Sequence, residues 1–191
     1  MRDELARRLV HASGTVLPAG YLLDVVTWEQ FRLLLAAGTA VALALEAIRL
    51  GVGLDWWIYE HLTREYEQEN LAGYALYTAG ATAAALAFPP AVAVPAILML
   101  TVGDPISGLL GSGELKAAKR ARVLLAMFGV CTLIASFFLP ATAAILGGAA
   151  ATLADGVKPV VRGYVIDDNL TIPVGAAVAM FAAVTYLPVL P

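Results

Sequence analysis

Apolar residues occur along this chain in long runs, and short polar segments separate one run from the next. Residues 71–103 and 123–154 contain no charged residue. A helix needs about 20 apolar residues to cross the hydrocarbon core of a bilayer, so each run is long enough for two crossings. Proline interrupts both runs, at Pro89 and Pro90 in the first and at Pro140 in the second. The pattern therefore predicts four membrane-spanning helices in this part of the chain.

Three further apolar stretches predict the remaining spans, over residues 9–26, 33–49 and 170–190. Residues 54–70 differ, because apolar side chains recur there at every fourth position with acidic residues between them. Tryptophans in this stretch are typical of the headgroup level of a membrane, which favours a helix lying on the surface. We therefore expect an all-α integral membrane protein with a single domain over residues 1–191. Its predicted architecture is a compact bundle of about seven transmembrane helices with one short interfacial amphipathic helix.

Composition agrees with this pattern, since 60% of the 191 residues are hydrophobic and only 14% are charged. Soluble domains are about one-quarter charged, so the balance favours a membrane protein. Cys131 is the only cysteine and lies in an apolar run, which excludes a disulfide framework and a cysteine-based metal cluster. The sequence also lacks the Walker-type phosphate-binding motif and the zinc motif H-E-x-x-H.

Basic residues collect on one side of the predicted topology. Of the 12 lysines and arginines, only Arg32 falls on the outer face when the N-terminus is placed in the cytoplasm. Cytoplasmic loops retain lysine and arginine, so we expect a multi-pass protein of the cell membrane with its N-terminus and active-site loops in the cytoplasm. The charged segment before the first span is interpreted as a mature N-terminus rather than a cleaved signal peptide.

Asp104 lies at the cytoplasmic end of the predicted fourth span, where a charge is costly and usually has a function. Pro105 follows it. Proline at the first helical position after an acidic N-cap predicts that the chain breaks and restarts as a short second helix. Backbone N–H groups at such a helix start would suit a metal-bound phosphate. A simpler interpretation is that Asp104 only caps a helix or pairs with an arginine.

A second acidic group, Asp167 and Asp168 with Asn169, lies at the same predicted face, and a basic segment over residues 114–122 lies between the two groups. Carboxylate and amide oxygens are hard ligands that suit Mg²⁺, while lysine and arginine neutralise phosphate. Asp104, Asp167 and Asp168 are therefore the candidate metal ligands, and Asp104 and Asp168 are the candidate catalytic acids. The predicted ligand is a nucleoside triphosphate. Its candidate phosphate-binding residues are Gly103, Ser107, Gly108, Gly111, Lys116, Lys119, Arg120, Arg122 and Asn169.

Each of these elements also has a simpler interpretation. The basic segment matches a plain positive-inside signal that contacts anionic lipid headgroups. Gly108 and Gly111 suit close packing between helices. The acidic pair before Asn169 suits a solvated turn that caps the last helix, and His11 suits an interfacial histidine with satisfied hydrogen bonds.

Four short motifs follow one another between residues 7 and 173. They are Arg7-Arg8-Leu9-Val10-His11-Ala12-Ser13-Gly14, Thr63-Arg64-Glu65-Tyr66-Glu67, Gly103-Asp104-Pro105-Ile106-Ser107-Gly108-Leu109-Leu110-Gly111 and Asp167-Asp168-Asn169-Leu170-Thr171-Ile172-Pro173. Together they resemble the CTP-dependent lipid kinases, which include dolichol, phytol and polyprenol kinases and CTP-using diacylglycerol kinases, and which are related to CDP-lipid synthases. Asp155 stands where that family usually carries a glutamate. The chain differs from many members after Gly113, where it lacks a Lys-Ser/Thr-x-x-Gly element.

The resemblance implies transfer of the γ-phosphate of CTP to the hydroxyl of a membrane polyprenol- or dolichol-type alcohol, with Mg²⁺ or another divalent cation. No nucleic acid partner is expected. The residues implied to complete or support the site are Arg7, Arg8, His11, Arg64, Glu65, Asp155 and Lys158. Two alternatives stay open: a CTP-dependent diacylglycerol kinase or CDP-lipid synthase-like cytidylyltransferase, and a non-enzymatic lipid transporter or binding bundle. Charges at one face rather than at the midplane argue against the second.

Overall fold

The computed structural model describes residues 2–53, 56, 67–68, 70–111, 120–157, 160–161 and 164–187. Within them the chain is almost entirely helical. The helices are α1 (Arg2–Ser13), α2 (Val16–Leu22), α3 (Trp28–Val52), α4 (Gly73–Ala87), α5 (Pro90–Leu98), α6 (Asp104–Leu110), α7 (Ala121–Ser136), α8 (Ala141–Gly156) and α9 (Asp168–Tyr186). A π-helical segment, Met99–Gly103, joins α5 to α6. A short antiparallel ribbon of β1 (Val160–Val161) and β2 (Tyr164–Val165) lies between α8 and α9, with Val160 paired to Val165.

Local sequence signals account for where these helices begin and end. The predicted division at the proline pair is confirmed, since α4 ends at Ala87 and α5 begins at Pro90. Pro140 likewise lies between α7 and α8. Helix α3 starts with a capping box in which the Thr27 hydroxyl accepts from the Gln30 N–H and the Gln30 side chain accepts from the Thr27 N–H.

Among the described residues, three helices are long and apolar enough to cross a membrane: α3, α9 and the continuous helical segment Pro90–Leu110, which contains α5, the π-helical segment and α6. Helix α7 is apolar but shorter. Large apolar side chains on several outer faces are exposed, among them Leu33, Leu125, Phe137 and Leu153. Exposed apolar surface on this scale is typical of a protein surrounded by lipid. The all-helical class is thus confirmed, while seven crossings remain a prediction.

The predicted first span, over residues 9–26, is not one helix. A turn at Gly14 and Thr15 separates α1 from α2, and α2 has only 7 residues. An aromatic cluster of Tyr21, Trp28 and Phe31 packs the end of α2 onto the start of α3. The amphipathic surface helix predicted over residues 54–70 lies largely outside the described residues.

The buried core is built mainly from α4, α5, α7, α8 and α9. Helix α9 contacts α8, α4 and α5, and α8 also packs along α7. Fully buried side chains of this core include Met99, Leu100, Met127, Ile172 and Met180. This packing brings the C-terminal end of α8, the N-terminal end of α9 and the start of α6 to one end of the bundle, where each contributes an aspartate.

Candidate functional site

The π-helical segment sets the position of Asp104. The backbone of Asp104 is helical (φ −63°, ψ −46°), and its N–H donates to the carbonyl of Met99, five residues earlier. The predicted break with Asp104 as an N-cap is therefore wrong, because the helix continues through this point. Proline would lose a backbone hydrogen bond and clash with a carbonyl in a regular α-helix, and the wider π turn just before Pro105 accommodates it.

Asp104 on α6, Asp155 on α8 and Asp168 on α9 form a cluster that we call the acidic triad. One carboxylate oxygen from each lies within 4.8 Å of the others. Asp155 and Asp168 are 1% and 3% exposed. Carboxylates this close repel one another when they are ionised, and a cation bound between them would relieve that repulsion. A set of carboxylate oxygens fits Mg²⁺, which is a hard cation.

Asp155 belongs to this cluster because α8 is longer than the sequence suggested. In the sequence the uncharged run ends at residue 154, and Asp155 was predicted only as a supporting residue. Helix α8 continues to Gly156, and this puts Asp155 in its last turn, facing the core. The signal that could have located it is the uninterrupted helical pattern before it.

Asp167 lies beside the triad with a different set of contacts. It is the N-cap of α9, and its Oδ1 atom accepts hydrogen bonds from the backbone N–H of Asn169 at 2.9 Å and from Asn169 Nδ2 at 2.6 Å. Asp167, Asp168 and Asn169 are all buried, so the turn is not solvated. Metal binding by Asp167 stays a prediction, whereas capping of α9 is observed.

Ser107 and His11 contact two members of the triad. The Ser107 hydroxyl donates to Asp155 Oδ2 at 2.6 Å, and Ser107 is fully buried. His11 Nδ1 lies 3.6 Å from Asp104 Oδ2. Tyr77 fixes the histidine, because its ring packs edge-on against the imidazole at 4.5 Å and its hydroxyl donates to the His11 carbonyl at 3.2 Å. These contacts hold α1 against the site.

Arg8 supplies positive charge next to Gly108. Its guanidinium occupies the space where a side chain at position 108 would lie, so a Cβ atom on Gly108 would overlap it. The glycine is therefore needed for the approach of Arg8. A Cβ atom on Gly103 would similarly meet Cys131 and Met127 of α7.

The remaining predicted residues divide into two groups. Arg120 and Arg122 are exposed at the start of α7, Arg7 is half-buried on α1, and Gly111 follows the last residue of α6. Five others lie outside the described residues: Arg64, Glu65, Lys116, Lys119 and Lys158.

Sequence reasoning did not assign a role to a buried ion pair on α3. Glu46 and Arg49 are 1% and 8% exposed, and Arg49 donates from Nε at 2.9 Å and from one terminal nitrogen at 2.7 Å to the two carboxylate oxygens of Glu46. Their spacing of three residues places both on one helix face, which was the available signal.

No family model matches the chain, and neither a curated protein nor a solved structure matches it. The described residues combine three carboxylates, a serine, a histidine and an arginine at one end of an apolar helical bundle. Such a set can hold a divalent cation and bind the oxygens of an anionic group.

Proposed function

We propose that this protein is a CTP-dependent lipid kinase that transfers the γ-phosphate of CTP to the hydroxyl of a membrane polyprenol- or dolichol-type alcohol. The observation that carries the proposal is the acidic triad of Asp104, Asp155 and Asp168, built from three helices at one end of an apolar bundle. The choice of CTP and of a prenol-type acceptor rests on the four motifs described above.

The aspartates and the arginines have different roles in this proposal. Asp104, Asp155 and Asp168 hold Mg²⁺, and when bound the cation neutralises charge on the phosphate oxygens. Arg8, which lies against Gly108, binds phosphate oxygens through its planar guanidinium. The basic residues around Arg120 and Arg122 neutralise the remaining charge of the triphosphate. Asp167 completes the site by holding the first turn of α9.

With these charges neutralised, the reaction mainly requires that the lipid hydroxyl and the γ-phosphate are correctly aligned. The lipid hydroxyl oxygen bonds to the γ-phosphorus while the bond from that phosphorus to the β–γ bridging oxygen breaks, which yields lipid phosphate and CDP. The hydroxyl proton passes to a carboxylate, and Asp168, which is buried within the triad, is the proposed acceptor. Phosphoryl transfer depends mainly on alignment and charge stabilisation, which a rigid helical site provides.

The lipid reaches this site from the bilayer. Exposed apolar side chains on the outer helix faces, such as Leu109 and Leu110 on α6, suit contact with prenyl or acyl chains. We also propose seven crossings with the N-terminus in the cytoplasm, which places the triad and the basic segment at the cytoplasmic surface. The distribution of lysine and arginine supports this orientation.

The test is a kinase assay on the purified protein in lipid nanodiscs. A panel of prenols, dolichols and diacylglycerols is offered with γ-labelled CTP or ATP in parallel, and lipid phosphate and CDP are measured. We expect CTP-dependent phosphorylation that Asp104→Asn abolishes and Glu29→Gln, at an exposed position, does not. Release of pyrophosphate instead of CDP would indicate a cytidylyltransferase. An absence of both turnover and nucleotide-dependent thermal stabilisation would favour a non-enzymatic lipid-binding bundle.

A further inference from the structure

The Glu46–Arg49 ion pair holds a distant piece of backbone. Arg49 donates to three carbonyl oxygens, those of Glu67 at 3.0 Å, Gln68 at 3.0 Å and Asn70 at 2.6 Å. Removing a charged pair from water is unfavourable unless its remaining hydrogen-bonding groups are satisfied, and these contacts satisfy Arg49. The end of α3 therefore determines where Glu67, Gln68 and Asn70 lie.

Glu46 holds the other end of the same segment. Its carboxylate accepts from the backbone N–H of Ala72 at 2.9 Å and from the Tyr74 hydroxyl at 2.6 Å. Ala72 is the N-cap of α4, so the carboxylate lies at a helix start, where a negative charge is favourable. Together the two side chains of the pair hold five described residues in place: Glu67, Gln68, Asn70, Ala72 and Tyr74.

The segment held in this way carries a buried carboxylate. Glu67 is 4% exposed, and its Oε1 atom lies 3.4 Å from the position that a Cβ atom on Gly73 would take. The Nδ2 atom of Asn169 lies 2.8 Å from that same position. The side chains of Glu67 and Asn169 thus both lie close to Gly73, where any larger residue would displace them.

This arrangement determines how the Asn169 amide is oriented. Its NH₂ group donates to Asp167 Oδ1 at 2.6 Å and faces the side on which Glu67 lies. The nitrogen of the amide therefore lies toward the carboxyl groups of Asp167 and Glu67, and the amide oxygen lies on its other side. Asn169 directly follows Asp168, a member of the acidic triad.

We propose that Glu67 is a positioning residue of this site, and that the buried Glu46–Arg49 pair keeps it in place. The inference rests on the proposed function. Glu67 and Asp167 hold the Asn169 amide in one orientation, so that its oxygen, a hard donor, is offered to the ligand and the first turn of α9 keeps Asp168 in the triad. Replacing a residue that orients a metal ligand through a hydrogen bond typically weakens metal binding 10- to 100-fold.

The test measures Mn²⁺ binding to the whole protein in nanodiscs by electron paramagnetic resonance, with thermal unfolding recorded in parallel. We expect Glu67→Gln to weaken Mn²⁺ binding about tenfold while its unfolding temperature stays near that of the parent, because the backbone contacts of Arg49 are unchanged. Arg49→Lys should weaken Mn²⁺ binding similarly and lower the unfolding temperature as well. The pair of Glu29, which is exposed, and Arg32, which is half-buried, has the same spacing on the same helix, so Glu29→Gln and Arg32→Lys are matched controls.

Equal Mn²⁺ affinity in Glu67→Gln and the parent would overturn the inference and leave the proposed function standing. If the parent itself fails to bind Mn²⁺, the metal site of the proposed function is overturned and the inference with it. Should Glu67→Gln fail to fold, Glu67→Asp keeps the carboxylate on a shorter arm, and an unchanged affinity in that variant would also contradict a positioning role.

Discussion

The Ser107 hydroxyl donates a 2.6 Å hydrogen bond to Asp155 Oδ2 across 48 positions of sequence and so joins α6 to α8. Both residues are buried. The bond connects the helix that carries Asp104 with the helix that carries Asp155, which makes it one of the contacts that hold the acidic triad together.

Removing this hydroxyl should loosen the triad. We expect Ser107→Ala to destabilise the protein by about 1–3 kcal/mol, since a buried carboxylate oxygen loses its donor. Thermal unfolding in detergent measures the change. Ser136→Ala is the control, because the Ser136 hydroxyl is exposed and bonds only to the carbonyl of Leu133 in its own helix. Equal stabilities for the two variants would contradict a role for Ser107 in holding α6 to α8.

Divalent cations should stabilise the folded protein through the triad. A ligand present at about 100 times its Kd adds about 2.7 kcal/mol to the free energy of unfolding. We expect Mg²⁺ or Mn²⁺ to raise the unfolding temperature of the parent and to have little effect on Asp155→Asn. Asp24→Asn, at an exposed turn, should respond like the parent. A full cation response in Asp155→Asn would exclude Asp155 as a ligand.

Asp167 offers a test of the sequence prediction against the observed geometry. Because Asp167 is the N-cap of α9, we expect Asp167→Ala to lower the free energy of unfolding by about 1 kcal/mol. Asp167→Asn should leave it nearly unchanged, because asparagine caps a helix equally well. If capping is its main role, Asp167→Asn keeps the cation response seen by thermal unfolding. Loss of that response in Asp167→Asn would instead support the metal-ligand role predicted from the sequence.

Because the Arg8 guanidinium lies where a side chain at position 108 would be, we expect the effects of substitutions at the two positions to be strongly coupled. Gly108→Ala should displace the guanidinium and reduce CTP-dependent activity about as much as Arg8→Ala does, and the double variant should lose little more. Gly129→Ala is the control: nothing lies within 4 Å of the added Cβ atom on α7, and alanine is the better helix former. Additive losses in the double variant would show that Gly108 and Arg8 act separately.

Single cysteines test the proposed topology. In a Cys131→Ser background, Glu29→Cys and Ser136→Cys should react with a membrane-impermeant maleimide added outside intact cells. Ala6→Cys and Ala121→Cys should react only after the cells are opened. All four positions are exposed in the described structure, so accessibility depends on the side of the membrane. The reverse labelling pattern would overturn the cytoplasmic placement of the triad.

The helical class, the helix ends at the prolines and the positions of several unusual acids could be predicted from the amino-acid sequence alone. Apolar runs, the proline pair before α5 and the capping box at Thr27 act over a few residues, so they can be interpreted without knowledge of packing. Asp104 and Asp168 could be selected for the same reason, since an acid beside a long apolar run is visible in the chain itself.

Which of these residues lie close together could be seen only from the packing of the helices. Helices α1, α6, α8 and α9 pack together at one end of the bundle. This packing places Asp155 in the triad and Arg8 against Gly108, while Asp167 caps α9. Hydrophobic periodicity reports which face of a helix is apolar, but it carries no information on which helix ends lie together. Which helix ends lie together depends on contacts between side chains that are far apart in sequence, and these contacts bring the three aspartates of the acidic triad together.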